Sequence, residues 1–426
     1  MQPRQTSFAD TLRVVAVVLA LAAAPFGARA SDAPQTRLQG WVVPIGGALE
    51  HGNEEVWSRL VQLSGGPGAR WVVLATAAGN PQASAAAIVG TLRRHGAEAE
   101  ALPVAPRLAG TDAVAEAGNP QWVERVDRAR GVYFAGGDQA RIVDTLLPGG
   151  EPTPLLAAIR ALLARGGVVA GSSAGAAVMS EIMFRDAPDV MAVMRGTLRD
   201  GREVDRGLGF TGPEIFVDQH FLRRGRIGRM LPLMAAKGYR LGLGVDEDTA
   251  VILHGDEVEV VGRRGVLLVD LTAARSGHPG GAFALAGARL SYLERGDRAN
   301  LRTREVTPSA AKLAGGPIDP ATREFAPFHG EKPFFGDILA DSALVDAMIH
   351  VVDGKSAEVR GLAFDRRDDL PPDLAPLGFE FRLYRGEGTR GWYSGAFGNE
   401  AYTLTGVRLD VTPVRVTLPP YRPWSE

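Results

Sequence analysis

The sequence predicts an α/β fold with a mostly parallel β-sheet and helices on both of its faces. Between residues 38 and 170, short apolar runs alternate with segments of helical periodicity. Several of these apolar runs end in glycine or other small residues. Such alternation is typical of a parallel sheet whose strands are joined by crossover helices. In such sheets ligands bind beyond the carboxyl ends of the strands. The glycine pairs 46–47 and 136–137 and the turn at Ser173 all follow expected strands, so we expect them to converge on one crevice.

The alternation places five strands and five helices in the first part of the chain. The expected strands are residues 38–45, 70–75, 99–104, 131–135 and 167–170. The expected helices are residues 54–63, 82–95, 122–129, 140–147 and 154–165. Further strands are expected at 211–217 and 243–245, on either side of a helix at 228–236. The apolar runs 250–253, 257–261 and 266–270 predict antiparallel strands of one meander.

The character of the chain changes near residue 292. We expect an α/β domain over 31–292, followed over 293–426 by a linker and an accessory β-rich extension. Residues 294–335 are rich in arginine, proline, glycine and charge, and their periodicity is weak. A helix is expected within 338–352, and antiparallel strands at 379–385, 391–397 and 402–416. The extension is either a small separate unit or a part that packs on the first domain.

The first 30 residues have the pattern of a secretory signal peptide. Arg4 and Arg13 supply positive charge, and an unbroken apolar run of eleven residues occupies Val14–Ala24. The run is followed by Ala28-Arg29-Ala30, which fits the small-x-small cleavage rule. A membrane-spanning helix needs about 20 apolar residues, so an uncleaved anchor is the weaker alternative. We expect cleavage after Ala30, no stable membrane anchor, and export to the periplasm or the medium.

Composition excludes several kinds of site and partner. The formal net charge of −2 gives no argument for a nucleic-acid partner. The chain of 426 residues contains no cysteine, so it has no disulfide, thiolate metal site or cysteine nucleophile. An exported protein without disulfides depends on its core, and a hydrophobic content of 45% in a chain of this length is sufficient for one.

A nucleophile-elbow pattern, Gly-x-Ser-x-Gly, spans residues 171–175 with Ser173 at its centre. It follows the fifth expected strand and precedes the start of a helix. A nucleophile on a strained strand-to-helix turn stands clear of its neighbours only if those neighbours are small. The helix N terminus behind it offers N–H groups and a positive dipole end to a developing oxyanion. A plain Gly/Ser-rich turn is the alternative interpretation.

A serine nucleophile needs a general base, and His220 is the best candidate because it also follows an apolar strand. The base in turn needs an orienting acid. Glu247 is available at a strand end, and Asp246 and Asp248 remain rivals that the sequence alone leaves open.

Two further groups of residues lie near these candidates. Gly136 and Gly137 end the fourth expected strand, where a glycine N–H would serve an oxyanion and the amide of Gln139 would contact substrate. Neither this turn nor the glycine pair 46–47 has the lysine that a phosphate-binding loop requires. Four arginines follow His220 and fall within the seven residues 223–229: Arg223, Arg224, Arg226 and Arg229. They form either a solvated face or a site for the carboxylates of a substrate.

Four blocks of this sequence resemble the cyanophycinases of serine peptidase family S51, which also contains aspartyl dipeptidases. The blocks are Phe134–Gln139, Gly171–Ala176, Asp218–Phe221 with Arg224–Arg226 and Gly228–Arg229, and Gly244–Ala250. Their order and spacing match the family over about residues 38–270. One such block alone would be weak, but four blocks in register are specific.

The resemblance implies the α/β sandwich of the class I glutamine amidotransferases, with serine in place of the cysteine of that group. Ser173 would be the nucleophile, His220 the base and Glu247 the third member of a triad. The N–H of Ala174 and a glycine of the pair Gly136–Gly137 would form the oxyanion hole. The residues implied to hold a β-aspartyl-arginine unit are Gln139, Asp218, Gln219, Arg224, Arg226 and Arg229. The resemblance implies neither a metal nor a cofactor.

The reaction implied by the resemblance is hydrolysis of cyanophycin, multi-L-arginyl-poly-L-aspartate, to β-Asp-Arg dipeptides. The signal peptide resembles that of extracellular members, and a homodimer is an open expectation because members are often dimers. Two features depart from the family: Ser172 replaces the usual threonine, and the chain after about residue 290 has no counterpart in the minimal enzyme.

Three alternatives remain beside this interpretation. The first is a β-aspartyl or acidic dipeptidase of the same family. The second is a non-catalytic peptide-binding protein, which would have no need of the complete set Ser173, His220 and Glu247. The third is an α/β-hydrolase esterase, which would need a late histidine such as His329 or His350 and an HGGG motif that the sequence lacks.

Overall fold

The computed structural model describes residues 39–365, 367, 376–395 and 400–417. The predicted signal peptide therefore lies outside the described residues. Among the described residues the strands are β1 (Trp41–Ile45), β2 (Arg70–Leu74), β3 (Glu98–Leu102), β4 (Gly131–Phe134), β5 (Val168–Ser172), β6 (Ile182–Phe184), β7 (Val204–Arg206), β8 (Ile215–Gln219), β9 (Leu241–Val245), β10 (Thr249–His254), β11 (Glu257–Gly262), β12 (Val266–Asp270), β13 (Arg275–Gly277), β14 (Ala284–Leu293), β15 (Arg298–Asn300), β16 (Val306–Thr307), β17 (Phe334–Phe335), β18 (Glu358–Phe364), β19 (Leu377–Tyr384), β20 (Arg390–Ser394) and β21 (Ala401–Arg415). The α-helices are α1 (Glu54–Leu63), α2 (Pro81–Arg94), α3 (Ala113–Ala117), α4 (Pro120–Asp127), α5 (Gln139–Leu146), α6 (Pro154–Ala164), α7 (Ala174–Ala177), α8 (Val190–Met194), α9 (Ile227–Lys237), α10 (Ala310–Ala314) and α11 (Ala343–Val352).

Helix starts in the first part of the chain follow local capping signals. Asn53 precedes α1, and its side chain accepts the N–H of Val56. The same arrangement begins α2 and α4, where an asparagine cap is followed by proline at the first helical position. Helices α1, α2, α4, α5 and α6 therefore begin within about two residues of their predicted starts.

The first sheet contains the parallel strands that the sequence predicts. Strands β3, β2, β4, β5 and β1 lie side by side in that order and run parallel. From β1 the sheet continues antiparallel through β10, β11, β15 and β16. The prediction of an α/β fold with a large, mostly parallel sheet is confirmed. Strands β1 and β5 end together, because Ile45 lies opposite Ser172.

Helices cover both faces of the parallel strands. Val72 and Val132 pack in a core with α5 and α6, whereas their neighbours Val73 and Tyr133 pack in a second core with α1 and α2. Successive strand residues point to opposite faces, so a strand buried on both sides reads as a continuous apolar run. These three layers agree with the sandwich that the resemblance implies.

A second sheet contains most of the other described strands, and one strand assignment changes there. Strand β8 pairs parallel with β9, and β12 pairs antiparallel with β9 and β14. The prediction that residues 266–270 continue the meander of β10 and β11 is wrong. The chain crosses to the second sheet through Gly262, with φ +115°, and Gly265, where a side chain would collide with the Tyr292 ring.

The predicted strand 211–217 begins later than expected. Strand β8 starts at Ile215, because Gly212 with φ +77° and Pro213 occupy a turn before it. Its last residues, Asp218 and Gln219, were expected to follow the strand and instead belong to it. The shift leaves His220 as the first residue beyond the strand.

The described strands after β16 extend the second sheet. Strand β14 pairs with β21, which in turn pairs with β19, and β18 follows outside β19. The helix expected within 338–352 is present as α11. Lys312 of α10 is buried and donates to Asp297 Oδ2 at 2.8 Å and to the carbonyl of Tyr402 at 3.1 Å. The hydrogen bond to Tyr402 connects the segment after β14 to strand β21.

Within the ranges that the structure covers, no helix has both the length and the apolar character needed to cross a bilayer.

Candidate active site

Three polar side chains meet where the two sheets approach each other. Ser173 follows β5 of the first sheet, whereas His220 follows β8 and Glu247 follows β9 of the second. Backbone bonds hold the two sheets together at this edge. His220 N–H donates to the carbonyl of Gly46 at 2.7 Å, and Asp248 N–H donates to that of Gly47 at 2.9 Å. The strand ends that the sequence placed in one crevice are thus adjacent.

The turn at Ser173 has the geometry of a strained elbow. Its backbone has φ +54° and ψ −111°, outside the regions that a serine ordinarily adopts. A Cβ on Gly171 would lie 2.6 Å from the backbone of Gly175, and a Cβ on Gly175 would lie 2.3 Å from the carbonyl of Phe134. Both glycines of the motif are therefore required by the close packing of β5 against α7 and β4.

A continuous hydrogen-bonded chain joins the serine, the histidine and the glutamate. Ser173 Oγ lies 2.9 Å from His220 Nε2, and His220 Nδ1 lies 2.6 Å from Glu247 Oε1. A carboxylate accepts only, so the Nδ1–H of His220 donates to Glu247 and Nε2 is left to accept from the serine hydroxyl. This is the tautomer that a general base acting on serine needs.

The electrostatic surroundings keep His220 neutral. Burial lowers the pKa of the imidazole below its ordinary value, and the charges of Arg224 and Arg226 lower it further. The hydrogen bond that His220 donates to Glu247 raises this pKa without outweighing these effects. A neutral imidazole at neutral pH is able to accept a proton.

The structure distinguishes Glu247 from its two acidic neighbours. Asp246 Oδ2 lies 3.1 Å from Arg264 Nη1, and its Oδ1 accepts the N–H of Arg223 at 3.2 Å. Asp248 Oδ1 accepts from the side chain of Asn53 at 2.9 Å. Both aspartates are thus engaged elsewhere, and Glu247 is the acid that contacts His220.

Gly47 belongs to the site, although the sequence predicted for the pair 46–47 only a place in the crevice. Its backbone has φ +104°, and a Cβ there would lie 2.3 Å from Cε1 and 2.4 Å from Nε2 of His220. A Cβ on Gly46 would lie 1.9 Å from the carbonyl of Asp246. The absence of side chains at these two positions leaves room for the imidazole and for the loop after β9. The sequence signal was present, since a glycine pair at a strand end marks a close approach of backbones.

The predicted oxyanion residues surround Ser173. A Cβ on Gly136 would lie 3.2 Å from Ser173 Cβ, so the Gly136 backbone is a direct neighbour of the nucleophile position. Gly137 has φ +143°, and a side chain there would collide with the carbonyl of Ala77. Ala174 is the first residue of α7, where an N–H has no intrahelical acceptor. Their role in holding an oxyanion stays a prediction.

Three of the predicted substrate contacts, Gln139, Asp218 and Arg229, are occupied by protein partners. Gln139 Nε2 donates to the carbonyls of Phe184 and Arg185, each at 2.9 Å. Asp218 accepts from Arg229 Nε at 2.7 Å and Nη2 at 2.6 Å in a buried bidentate pair. Burial opposes ionisation of Asp218, but Arg229 and Arg226 hold its pKa below the ordinary value.

The other three predicted contacts, Gln219, Arg224 and Arg226, retain polar groups that a substrate could bind. Arg226 is nearly buried and donates to the carbonyl of Gln219 at 2.6 Å; burial lowers its pKa to about 10. The side-chain oxygen of Gln219 is buried and, among the described residues, accepts no hydrogen bond. Arg224 is exposed, and its charge acts on His220. Gln219 thus offers an acceptor and Arg224 a cation near the triad.

A cavity of about 380 Å³ opens beside Ser173 and His220. Residues that line it and had no predicted role are Ala48, Leu49, His51, Trp57, Ser84, Ala87, Ile88 and Tyr133. His51 Nδ1 lies 2.8 Å from the hydroxyl of Thr91. These residues come from β4, α1, α2 and the loop after β1, and no local pattern in the sequence links them.

Comparisons with known proteins assign the family. The sequence model described as Peptidase family S51 matches residues 44–261, about half of the chain. This chain belongs to peptidase family S51. A protein named cyanophycinase from Geminocystis herdmanii is 32% identical over 278 residues, which cover 63% of this chain and 96% of that protein. A cyanophycinase from Synechococcus elongatus is 31% identical over 277 residues, with 63% and 81% covered.

A solved structure of a peptidase from an acI-B1 Actinobacterium is also similar. It is 26% identical, with a TM-score of 0.43, and the match covers 55% of this chain and 91% of that one. The family assignment rests on the family model and the curated relatives, and it makes the protein a serine-type peptidase.

The S51 family match covers part of the site and its supports. Ser173, His220 and Glu247 lie inside the matched range, whereas Arg264 and all residues after it lie outside. No group of three or more potential metal ligands gathers anywhere in the described part of this S51 peptidase.

Proposed function

We propose that this S51 peptidase hydrolyses cyanophycin to β-Asp-Arg dipeptides, with Ser173 as nucleophile, His220 as general base and Glu247 as its orienting acid. The observation that carries the proposal is the unbroken chain of hydrogen bonds from Ser173 Oγ through His220 to Glu247. The relatives that bear the name cyanophycinase supply the substrate class.

The chemistry follows from the direction of these hydrogen bonds. His220 Nε2 takes the proton of Ser173 as Oγ attacks the scissile carbonyl carbon, and the carbonyl oxygen becomes an oxyanion. The N–H groups of Ala174 and Gly136 or Gly137 stabilise that oxyanion. His220 then gives the proton to the leaving amine, the carbon–nitrogen bond breaks, and an ester to Ser173 remains. Water, deprotonated by His220, attacks the ester and releases the acid and free Ser173.

The charges near the triad suit a substrate that carries both carboxylate and guanidinium groups. Arg224 offers an exposed cation, and a guanidinium pairs bidentately with a carboxylate. The side-chain oxygen of Gln219, which accepts no hydrogen bond from the described residues, is the proposed acceptor for the guanidinium of a substrate arginine. Asp218 is already saturated by Arg229, so in this proposal it orients the arginines and does not bind the substrate guanidinium.

The proposal is tested by incubating the protein of residues 31–426 with insoluble cyanophycin. We expect the suspension to clear and β-Asp-Arg to accumulate. Ser173→Ala should bind the polymer without releasing product, and Ser276→Ala, which changes an exposed serine of β13, should match the wild type. A folded wild type that releases nothing from cyanophycin but cleaves β-aspartyl dipeptides would replace the substrate by that of the dipeptidase alternative. A protein that binds peptides equally well with and without Ser173, and cleaves none, would be a binding protein.

We further propose that the chain is exported and cleaved after Ala30. The basic start, the apolar run Val14–Ala24 and the Ala28-Arg29-Ala30 site support this. Expression of the full chain in a bacterial host, followed by N-terminal sequencing of the periplasmic fraction and the medium, is the direct test. A mature N terminus at Ser31 is expected, whereas an intact N terminus in the membrane or cytoplasm would contradict export.

A further inference from the structure

The loop that carries the base is packed against residues from the far end of the chain. Residues 220–226 join β8 to α9 and contain His220, Arg224 and Arg226. Gly225 in this loop has φ +57°, and a Cβ there would lie 2.4 Å from the carbonyl of Leu339. Phe221 and Leu222 line the same small gap as Ile338, Ala340 and Leu344. The segment 338–344 therefore forms one wall of the loop that holds the base.

An ion-pair ring extends this contact to the acid of the triad. Asp341 Oδ2 lies 2.6 Å from Arg223 Nη1, and its Oδ1 lies 3.3 Å from Arg264 Nη1. The same Arg264 nitrogen lies 3.1 Å from Asp246 Oδ2. The ring closes because Asp246 Oδ1 accepts the backbone N–H of Arg223 at 3.2 Å. Asp246 directly precedes Glu247 in the chain.

The two carboxylates of this ring differ in burial, and so in how strongly each depends on its ion pairs. The side chain of Asp246 is 1% exposed, and that of Asp341 is 36% exposed. A buried carboxylate without its cation is costly, so Asp246 depends on Arg264. Arg264 in turn is held from outside by Asp341. A change at Asp341 therefore acts on the buried pair without opening a cavity in the core.

We infer that Asp341 is a positioning residue for the triad: through Arg223 and Arg264 it fixes the loop of His220 and the loop of Glu247 relative to each other. This inference rests on the proposed triad. Asp341 and Arg264 lie beyond the residues that match the family model, so the C-terminal part of this chain supplies a support for the site. A small displacement between base and acid has a large effect on rate, because the near-attack geometry is lost.

The test measures the rate at which diisopropyl fluorophosphate modifies Ser173, which needs no knowledge of the natural substrate. Asp341→Asn removes the negative charge at nearly constant shape, and we expect modification about 10-fold slower than in the wild type. Asp341→Glu restores the charge and should recover most of the rate. The matched control is Asp346→Asn, which breaks another partly exposed ion pair of the same region, that with Lys332, and should react as the wild type does. Arg223→Gln, which opens the ring from the other side, should resemble Asp341→Asn.

The pH dependence of the modification separates positioning from a general loss of structure. The charged groups that act on His220 are Glu247, Arg224 and Arg226. If Glu247 is displaced, its pKa-raising effect on His220 is lost, and the acid limb of the reaction moves to lower pH. The inference would be overturned if Asp341→Asn kept the wild-type modification rate and the wild-type acid limb. It would also be overturned if the slower rate were explained entirely by the unfolded fraction seen in a thermal melt. Either result would leave the proposed triad standing. A folded wild type that does not react at Ser173 would overturn the proposed triad and this inference with it.

Discussion

The two sheets position their residues of the triad by different physical means. On the side of the first sheet, Ser173 is fixed by close backbone packing, in which Gly171 and Gly175 leave no room for a side chain. On the side of the second sheet, His220 and Glu247 stand on loops joined by ion pairs around Asp246 and Asp341. Steric packing tolerates almost no change, whereas ion pairs at a partly exposed surface can be weakened gradually. The position of the nucleophile thus depends on steric packing, and the relative placement of base and acid depends in part on ion pairs.

The largest effect on kcat is expected when Glu247, the acid on the side of the second sheet, is neutralised. Glu247→Gln keeps the shape but removes the charge that stabilises the imidazolium, and it permits the wrong tautomer of His220. We expect kcat to fall about 1000-fold or more. Steady-state release of β-Asp-Arg measures it.

Asp248→Asn is the control for that change. It alters the adjacent acid, which bonds to Asn53 and not to His220, and it should cost far less activity. Equal losses in the two variants would contradict the assignment of Glu247.

A side chain at Gly47 should disturb the contact between the first sheet and His220. In Gly47→Ala the new methyl group would overlap the ring of His220, and the backbone has a φ that alanine adopts only with strain. We expect kcat to fall about 100-fold while the melting temperature falls only modestly.

Gly52→Ala provides the comparison within the same loop, because a Cβ there meets no atom within 4 Å. It should retain wild-type kcat. If Gly47→Ala did as well, the close approach to His220 would not constrain catalysis.

The smallest effect concerns the electrostatics of the base. Activity requires neutral His220, so kcat/KM is lost as pH falls through its pKa, and a lowered pKa places this limb below the usual value of about 6.5. Arg224→Ala removes a cation that lowers the pKa, so the limb should move to higher pH.

A pH profile of kcat/KM measures this shift. Arg302→Ala, which removes an exposed arginine paired with Asp256, should leave the limb in place. A limb that moves to lower pH in Arg224→Ala would contradict the stated charge effect.

The sequence predicted the first sheet better than the second for a physical reason. Strands buried between two layers of helices are continuous apolar runs, and their helices carry asparagine and proline caps, so both signals are local. Strand β12 has the same apolar character as β10 and β11, and only the crossing at Gly262 and Gly265 sends it to the other sheet. Gly265 makes room at that crossing for the ring of Tyr292, which is distant in sequence.

The residues of the site show the same contrast between local signals and contacts that are distant in sequence. The positions of Ser173 and His220 follow from strand ends, and the structure places both where the sequence predicted. The choice among Asp246, Glu247 and Asp248 depends on which partners surround each carboxylate, which no local pattern records. The pairing of Asp218 with Arg229 was likewise hidden, because residues eleven positions apart meet only through the geometry of β8 and α9.

The pairing of β14 with β21 has a consequence for any shortened form of the protein. From Leu285 to Tyr292, one side of β14 is bonded to β21. Ending the chain near residue 293 would expose that row of N–H and C=O groups along an apolar strand, and such an unprotected edge recruits other chains. A version trimmed to the length of its smaller relatives should therefore self-associate through this edge, unless charged residues or proline are introduced along β14 to block it.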